Sequence, residues 1–143
     1  MTARHVAQRL GGSRVLKRVV RSDLELVDAI RGGLPIRALE EVLHSGLFEA
    51  SELYTLVVAR RTLAHRKEKR QPLTAEQSDR LARVVRVAQR AEEALGDRER
   101  AARWLRQPNR ALQRHRPIDL LESDLGARMV ERALGRIEHG VYS

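Results

Sequence analysis

Residues 74–96 carry the strongest helical signal in the sequence. Thr74 and Gln77 stand at the spacing of a capping box, in which each side chain satisfies a backbone N–H of the other residue. Gly96 then supplies a C-terminal stop, because glycine adopts the left-handed conformation that ends helices. Between these signals the apolar residues recur at helical spacing and predict one long amphipathic helix. They are Leu81, Val84, Val85, Ala88, Ala91 and Leu95.

Similar signals divide the rest of the chain into short helices. Ser22, Asp97 and Ser123 are suited to cap helices, and Pro35 suits a first helical position. The pattern predicts an all-α fold of roughly eight helices with connections of ordinary length. Only the stretch 15–20 is compatible with a short strand. The apolar residues predicted to share one face are Leu24, Leu26, Val27 and Ile30 in one early helix, and Leu125, Met129, Val130, Ala133, Leu134 and Ile137 in the last.

Positive charge is concentrated in two short segments of this chain, whose net charge is +9. Residues 1–21 contain no acid, and residues 60–70 hold six bases against Glu68 alone. Concentrated basic charge is typical of proteins that bind a polyanion such as nucleic acid. The alternative is a surface charge that only favours solubility. The sequence leaves open whether residues 1–21 are ordered, because a basic arm without acidic residues can stay disordered until it binds DNA.

The segment 33–69 has the layout of a helix-turn-helix motif. A first helix near residues 49–56 and a second from about Arg60 would be joined by a tight turn, and the second would enter the major groove. Leu63 would point inward and hold the second helix to its partner. The alternative is a solvated basic helix without a ligand. The candidate DNA-binding residues are Arg60, Arg61, Thr62, His65, Arg66 and Lys67.

Several classes of function lack their signatures in this sequence. The absence of cysteine excludes disulfides, thiol chemistry and cysteine–zinc sites. No two of the five histidines stand at the i, i+4 spacing of a metal site, and no nucleotide-binding or nucleophile motif occurs. We therefore expect no metal, no cofactor and no enzymatic activity. No apolar run approaches the roughly 20 residues that cross a bilayer, and no signal peptide pattern occurs. We therefore expect a cytoplasmic protein without a membrane partner.

The C-terminal segment from Asp97 differs in charge along its length. Residues 98–116 carry seven arginines against Glu99, whereas residues 117–143 are slightly acidic. Its physical pattern fits a small structural domain or a dimerisation element equally well. A small hydrolase using Glu138 and His139 is the rival from another class. Adjacent helical residues point in different directions, which argues against that pair, and His139 in a last helical turn suits the helix dipole.

The residues from Trp104 onward resemble the C-terminal toxin-binding domain of the Xre/MbcA/ParS class of antitoxins. Residues 60–81 resemble the helix-turn-helix end of the same proteins. Where the family usually has Gly-Gly or Gly-Arg after Ala-Leu, this chain has Gln113-Arg114-His115, and Val58-Ala59 stand where a proline or serine is frequent. The matching positions are Trp104-Leu105, Pro108-Asn109, Ala111-Leu112, Pro117, Leu120-Leu121, Gly126-Ala127-Arg128, Val130-Glu131 and Leu134 to Tyr142.

This resemblance implies an antitoxin of a type II toxin–antitoxin system. The implied partner is a RES-domain toxin that depletes NAD, neutralised when the antitoxin's C-terminal segment blocks its active site. The N-terminal domain would bind the operon's own promoter as a homodimer and repress it. The implied organisation is a basic arm at 1–21, a helix-turn-helix domain at 22–95 and a toxin-binding domain at 97–143. A stand-alone transcriptional regulator with a C-terminal dimerisation domain is the alternative.

Within the last helix and the residues after it, an acidic helix end and apolar anchors could occupy a pocket made for an anionic dinucleotide. Tyrosine is a frequent hot-spot residue at protein interfaces. The candidate toxin-binding residues are Arg128, Glu131, Arg132, Ile137, Glu138, His139, Gly140, Val141 and Tyr142.

Overall fold

A computed structural model describes residues 3–140 of the chain and shows an all-helical protein. Two short 3₁₀ turns, Arg110–Leu112 and Pro117–Leu120, lie between the last two α-helices. The α-helices among the described residues are α1 (Ala3–Arg9), α2 (Gly12–Leu16), α3 (Asp23–Arg31), α4 (Ile36–Ser45), α5 (Ala50–Leu56), α6 (Arg60–Glu68), α7 (Ala75–Leu95), α8 (Arg98–Arg106) and α9 (Asp124–Glu138).

The chain forms two compact units that divide between Val85 and Arg86, inside the long helix α7. The sequence suggested a domain boundary at Gly96–Asp97. This position follows the last residue of α7, and Gly96 has a φ of +86° there. The proposed domain limits of 22–95 and 97–143 therefore stay predictions. Each unit is described separately below.

The first unit includes the segment that the sequence suggested as a basic arm ordering on DNA. In the structure this segment forms α1 and α2, and Val20 beyond them is buried. The segment folds because its apolar residues Val6, Leu10 and Val15 are buried in the unit. The short strand considered for residues 15–20 is also absent there, since Val15 and Leu16 belong to α2.

A buried hydrogen-bond pair holds the middle of the first unit together. The backbone N–H of Leu34 donates to Ser78 Oγ at 2.7 Å, and the Leu34 carbonyl accepts from the Leu73 N–H at 2.9 Å. Position 33, next to Leu34, requires glycine, because a Cβ there would lie 2.5 Å from the Leu73 carbonyl oxygen. The capping box predicted for α7 is confirmed: Thr74 Oγ1 accepts from the Gln77 N–H, and Gln77 Oε1 accepts from the Thr74 N–H.

The apolar face predicted for α3 is only partly correct. Leu24 and Val27 are exposed, with 70% and 39% of their surface accessible, whereas Ala29 is buried and Leu26 and Ile30 are half-buried. With 3.6 residues per turn, residues 26, 29 and 30 share one side of the helix, whereas Leu24 and Val27 project from a different side. The predicted cap of this helix is confirmed, since Ser22 Oγ accepts from the Glu25 N–H.

The second unit is built from the C-terminal part of α7, α8, the two 3₁₀ turns and α9. Asp97 and Ser123 cap α8 and α9 as predicted, through hydrogen bonds from the N–H groups of Arg100 and Gly126. Leu105, Leu121 and Leu134 are buried in its core. Leu125 departs from the predicted apolar face of α9: it is 61% exposed, because it lies at the edge of the stripe beside the helix's arginines.

Candidate functional site

The first candidate surface is helix α6, which follows α5 after a three-residue turn as the motif requires. Val57 and Val58 in this turn are buried, and the Arg80 guanidinium donates to the Val57 carbonyl at 3.3 Å. Helix α6 itself buries none of its residues and has no side-chain cap at its N-terminus. Packing and hydrogen bonding thus hold the turn in place and leave most of the second helix open to a partner.

The six candidate DNA-binding residues fall into two groups. Arg66 Nε donates to the Pro72 carbonyl at 2.6 Å, and Lys67 Nζ lies 2.9 Å from Glu40 Oε2. These two residues share the side of α6 that carries half-buried Leu63. The other group is exposed, and its side chains form no hydrogen bond or ion pair within the described part of the chain. Its members are Arg60, Arg61, Thr62 and His65.

The second candidate surface is an open groove along α9 in the second unit, with a volume of about 810 Å³. Four arginines dominate its lining, three of them spaced four residues apart on α9 and the fourth on α7. The lining residues are Arg90, Leu125, Arg128, Glu131, Arg132, Gly135, Arg136 and His139. Four of the predicted toxin-binding residues, Arg128, Glu131, Arg132 and His139, are therefore brought together.

Ion pairs fix α9 to the C-terminal part of α7. Arg86 contacts both carboxylate oxygens of Glu131, at 3.1 and 3.3 Å, and Arg90 Nη1 lies 2.7 Å from Glu138 Oε1. Glu138, which the sequence predicts to face a partner, is thus held in an ion pair within the unit. Its carboxylate already neutralises an arginine of the groove.

The cations of the groove differ in how far they are committed within the protein. Arg128 pairs with Asp124 at 3.1 Å, but both side chains are more than half exposed, so the pair is weak. Arg132 makes only a long 3.5 Å hydrogen bond to the Arg128 carbonyl. The Arg136 side chain has no ion pair or hydrogen bond among the described residues. The unneutralised charge therefore lies in the C-terminal half of the groove.

The end of α9 is shaped by His139 and Gly140. His139 Nδ1 donates to the Gly135 carbonyl at 2.8 Å, and the same carbonyl accepts from the His139 backbone N–H at 3.1 Å, so His139 holds the last turn through both its ring and its main chain. Gly140 follows with a φ of +74° and turns the chain away from the helix axis. Ile137 is half-buried on the same turn. Val141 and Tyr142 lie outside the described residues.

Four further members of the groove were not among the candidate toxin-binding residues: Arg90, Leu125, Gly135 and Arg136. Leu125 was assigned to the core face of α9, Arg90 lies on another helix, and Arg136 was not singled out. The spacing of Arg128, Arg132 and Arg136 was the available signal, because residues four apart lie along one side of a helix. Nothing in the sequence placed Arg90 beside them.

Beside α9, Arg116 forms two hydrogen bonds to the carboxylate of Asp119, at 2.8 and 2.9 Å. These bonds hold the pKa of Asp119 below its usual value, with the positive charge of Arg116 and the nearby His115 acting in the same direction and partial burial opposing them. Among the described residues no cluster of histidine and acidic side chains could hold a metal ion, and no helix is long and apolar enough to cross a membrane.

The fold and the two surfaces define a class of protein: a helix-turn-helix module joined to a small helical domain with a cationic groove. Comparison with known families agrees. Residues 25–86 match the antitoxin Xre-like helix-turn-helix domain, and residues 90–140 match the antitoxin Xre/MbcA/ParS C-terminal toxin-binding domain.

Relatives show the same likeness along most of the chain. An antitoxin Xre of Yersinia enterocolitica is 34% identical over 120 residues, which is 82% of this chain and 81% of the relative. An antitoxin Xre of Photorhabdus laumondii is 32% identical over 78% of this chain and 76% of its own. A Sphingobium protein named Prs ADP-ribosylating antitoxin is 30% identical over 68% of this chain and 64% of its own. The chain belongs to the Xre antitoxin family and is the antitoxin of a toxin–antitoxin system.

Proposed function

We propose that this antitoxin neutralises a RES-domain toxin that depletes NAD, by blocking the toxin's active site with the segment that follows α9. The observation that carries the proposal is the groove on α9, since it gathers Arg128, Glu131, Arg132 and His139 on one surface of the matched toxin-binding domain. The name of the Sphingobium relative supports a partner that uses NAD, because ADP-ribosylation draws its ADP-ribose from NAD.

The role of Glu138 in this proposal follows from its ion pair. Its carboxylate is held by Arg90, so it positions the end of α9 and is not itself the group that enters a dinucleotide pocket. Gly140 then begins the terminal segment at a fixed point of the domain. Val141 and Tyr142 are the proposed apolar anchors, and Arg132 and Arg136 are the charges available to carboxylates at the rim of the toxin.

A test of this proposal uses a chain that ends at Gly140, co-expressed with the protein encoded beside this gene. The truncated antitoxin should fold, because it retains all of α9, and should fail to protect growing cells. Tyr142→Ala should lower affinity for the toxin roughly 30-fold, the effect of losing an anchor worth about 2 kcal/mol. Protection by the truncated chain equal to that of the full chain would show that the terminal segment does not block the toxin.

We also propose that the antitoxin represses its own operon as a homodimer through α6. Two copies of this helix can occupy half-sites one DNA turn apart, about 34 Å, in a palindromic operator. Arg60 and Arg61 in the first turn are suited to phosphates, and Thr62 and His65 are suited to base edges. Arg66 and Lys67 are proposed as flanking contacts, because each already has a partner within the protein.

The operator upstream of this gene provides the test of DNA binding. Arg61→Ala should weaken binding to a similar extent for all DNA sequences, most strongly at low salt, and reduce the slope of log affinity against log salt by about one. Arg37→Ala is the matched control, since Arg37 is an exposed arginine of α4 in the same unit. The proposal for α6 fails if both variants bind the operator with the affinity and salt slope of the natural chain.

A further inference from the structure

Two consecutive residues after the first 3₁₀ turn adopt a conformation that side chains disfavour. Gln113 has φ and ψ of 53° and 40°, and Arg114 has a φ of 68°. This left-handed region costs a residue with a Cβ roughly 1–2 kcal/mol, whereas glycine enters it freely. Both side chains are exposed, so no packing within the protein explains why they are larger than glycine.

Hydrogen bonds hold the turn in this conformation from both ends. The Arg114 N–H donates to the Asn109 carbonyl at 2.7 Å, and the Asn109 N–H donates to the His115 carbonyl at 3.0 Å. Asn109 Oδ1 also accepts from the Ala111 N–H at 2.9 Å, and buried Leu112 anchors the centre. The surrounding structure therefore imposes the positive φ angles, and strained residues held in this way are frequent at binding sites.

The turn presents positive charge without a counter-charge. Arg110 and Arg114 are exposed and have no ion pair within residues 3–140, whereas Arg116, two residues on, is committed to Asp119. The 3₁₀ turn that precedes Gln113 packs against α9 in the same unit. Because the backbone of the turn is already fixed, pairing an unpaired guanidinium of this turn with a carboxylate requires no ordering of the main chain.

We infer that the Gln113–Arg114 turn is a second toxin contact, in which Arg114 pairs with a carboxylate on the toxin surface outside the active site. A protein partner is favoured over DNA because the turn lies inside the matched toxin-binding domain, at residues 90–140. The contact goes beyond the proposed blocking segment and requires only that this domain binds the toxin.

The test compares stability with affinity in the same variants. Arg114→Gly and Arg114→Asn both tolerate a positive φ and lack the charge. Arg114→Gly should raise the melting temperature by about 2–4 °C. Both variants should bind the protein encoded beside this gene at least about tenfold more weakly, with the loss reduced at high salt. Arg103→Gln is the matched control, because it removes an exposed arginine of α8 and leaves the turn unchanged.

The outcomes separate the alternatives. Equal losses for Arg103→Gln and the Arg114 variants would show a general effect of net charge, and unchanged toxin affinity in both Arg114 variants would show that the turn makes no contact. Weaker operator binding with unchanged toxin binding would assign the turn to DNA. Each of these results overturns the inference. A chain that ends at Gly140 but keeps Arg114 tests the blocking segment separately, so the two proposals can fail independently.

Discussion

Gly126 in the first turn of α9 offers a sharp test of how the toxin-binding unit is packed. A Cβ built on this residue would lie 1.9 Å from the carbonyl oxygen of Leu120 and 2.9 Å from its carbonyl carbon. Real Cβ atoms essentially never approach another heavy atom within 3.0 Å, so Gly126→Ala must displace backbone by about 1 Å. The obstacle is main chain, which cannot rotate out of the way as a flexible side chain does.

The magnitude follows from two opposing terms. Alanine is favoured over glycine inside a helix by up to about 1 kcal/mol, whereas overpacking a well-packed site costs about 1–3 kcal/mol and occasionally more. Gly126→Ala should therefore lower the free energy of unfolding by about 1–2 kcal/mol. Gly135→Ala on the same helix is the matched control, because its Cβ would meet only Arg90 Nη2 at 3.5 Å, an ordinary contact. That variant should be neutral or slightly stabilised.

The chain provides its own probe for this comparison. Trp104 is the only tryptophan and lies on α8 in the second unit, so its fluorescence reports the unfolding of that unit in urea or on heating. For a unit of this size, each kcal/mol corresponds to roughly 4–8 °C in melting temperature. If Gly126→Ala proves as stable as Gly135→Ala, the close approach of α9 to Leu120 is not what requires the glycine, and the reasoning is refuted.

Three further predictions concern polar contacts. Ser78→Ala should lower the stability of the first unit by about 1–3 kcal/mol in urea unfolding, because it leaves the buried Leu34 N–H without an acceptor. A double-mutant cycle on Arg90 and Glu138, each side chain about one-third exposed, should give a coupling of roughly 0.5–1 kcal/mol that falls in high salt. Since folding lowers the pKa of Asp119 from 3.8, its carboxylate stabilises the folded protein above pH 3.8, and this contribution is lost as the pH falls through the folded value. Asp119→Asn should therefore be less stable than the natural chain at pH 7 and equally stable in strong acid. Urea unfolding at a series of pH values measures the difference.

The parts of the fold that sequence reasoning predicted correctly are those governed by local chemistry. The capping box of Thr74 and Gln77 and the caps at Ser22, Asp97 and Ser123 involve residues three positions apart, so their spacing alone specifies them. The approximate positions of α5 and α6 were also predicted, from the layout of a helix-turn-helix motif and not from caps, since α6 has no side-chain cap. The ends of the four capped helices are encoded within a single turn of helix, which is why their spacing could be read from the sequence.

The candidate sites depended on information that local patterns do not carry. Leu24 and Leu125 have spacings compatible with a buried face, and only the packing of the neighbouring elements leaves them exposed. The groove on α9 requires Arg90, which the fold brings from another helix. The left-handed turn at Gln113 and Arg114 carries no glycine signal, because hydrogen bonds to Asn109 impose it from outside the two residues.

The arginines of the groove differ in whether a carboxylate of the protein neutralises them, and this difference bears on the proposed function. Arg90 is neutralised by Glu138 and fixes the end of α9, whereas Arg132 and Arg136 hold charge that no carboxylate among residues 3–140 neutralises. Charges left unpaired near a chain end speed encounter with an acidic partner, and an anchored helix end limits the entropy lost when the terminal segment is placed. Removing Arg132 should therefore slow association with the toxin, whereas removing Arg90 should speed dissociation, and stopped-flow binding kinetics distinguish the two.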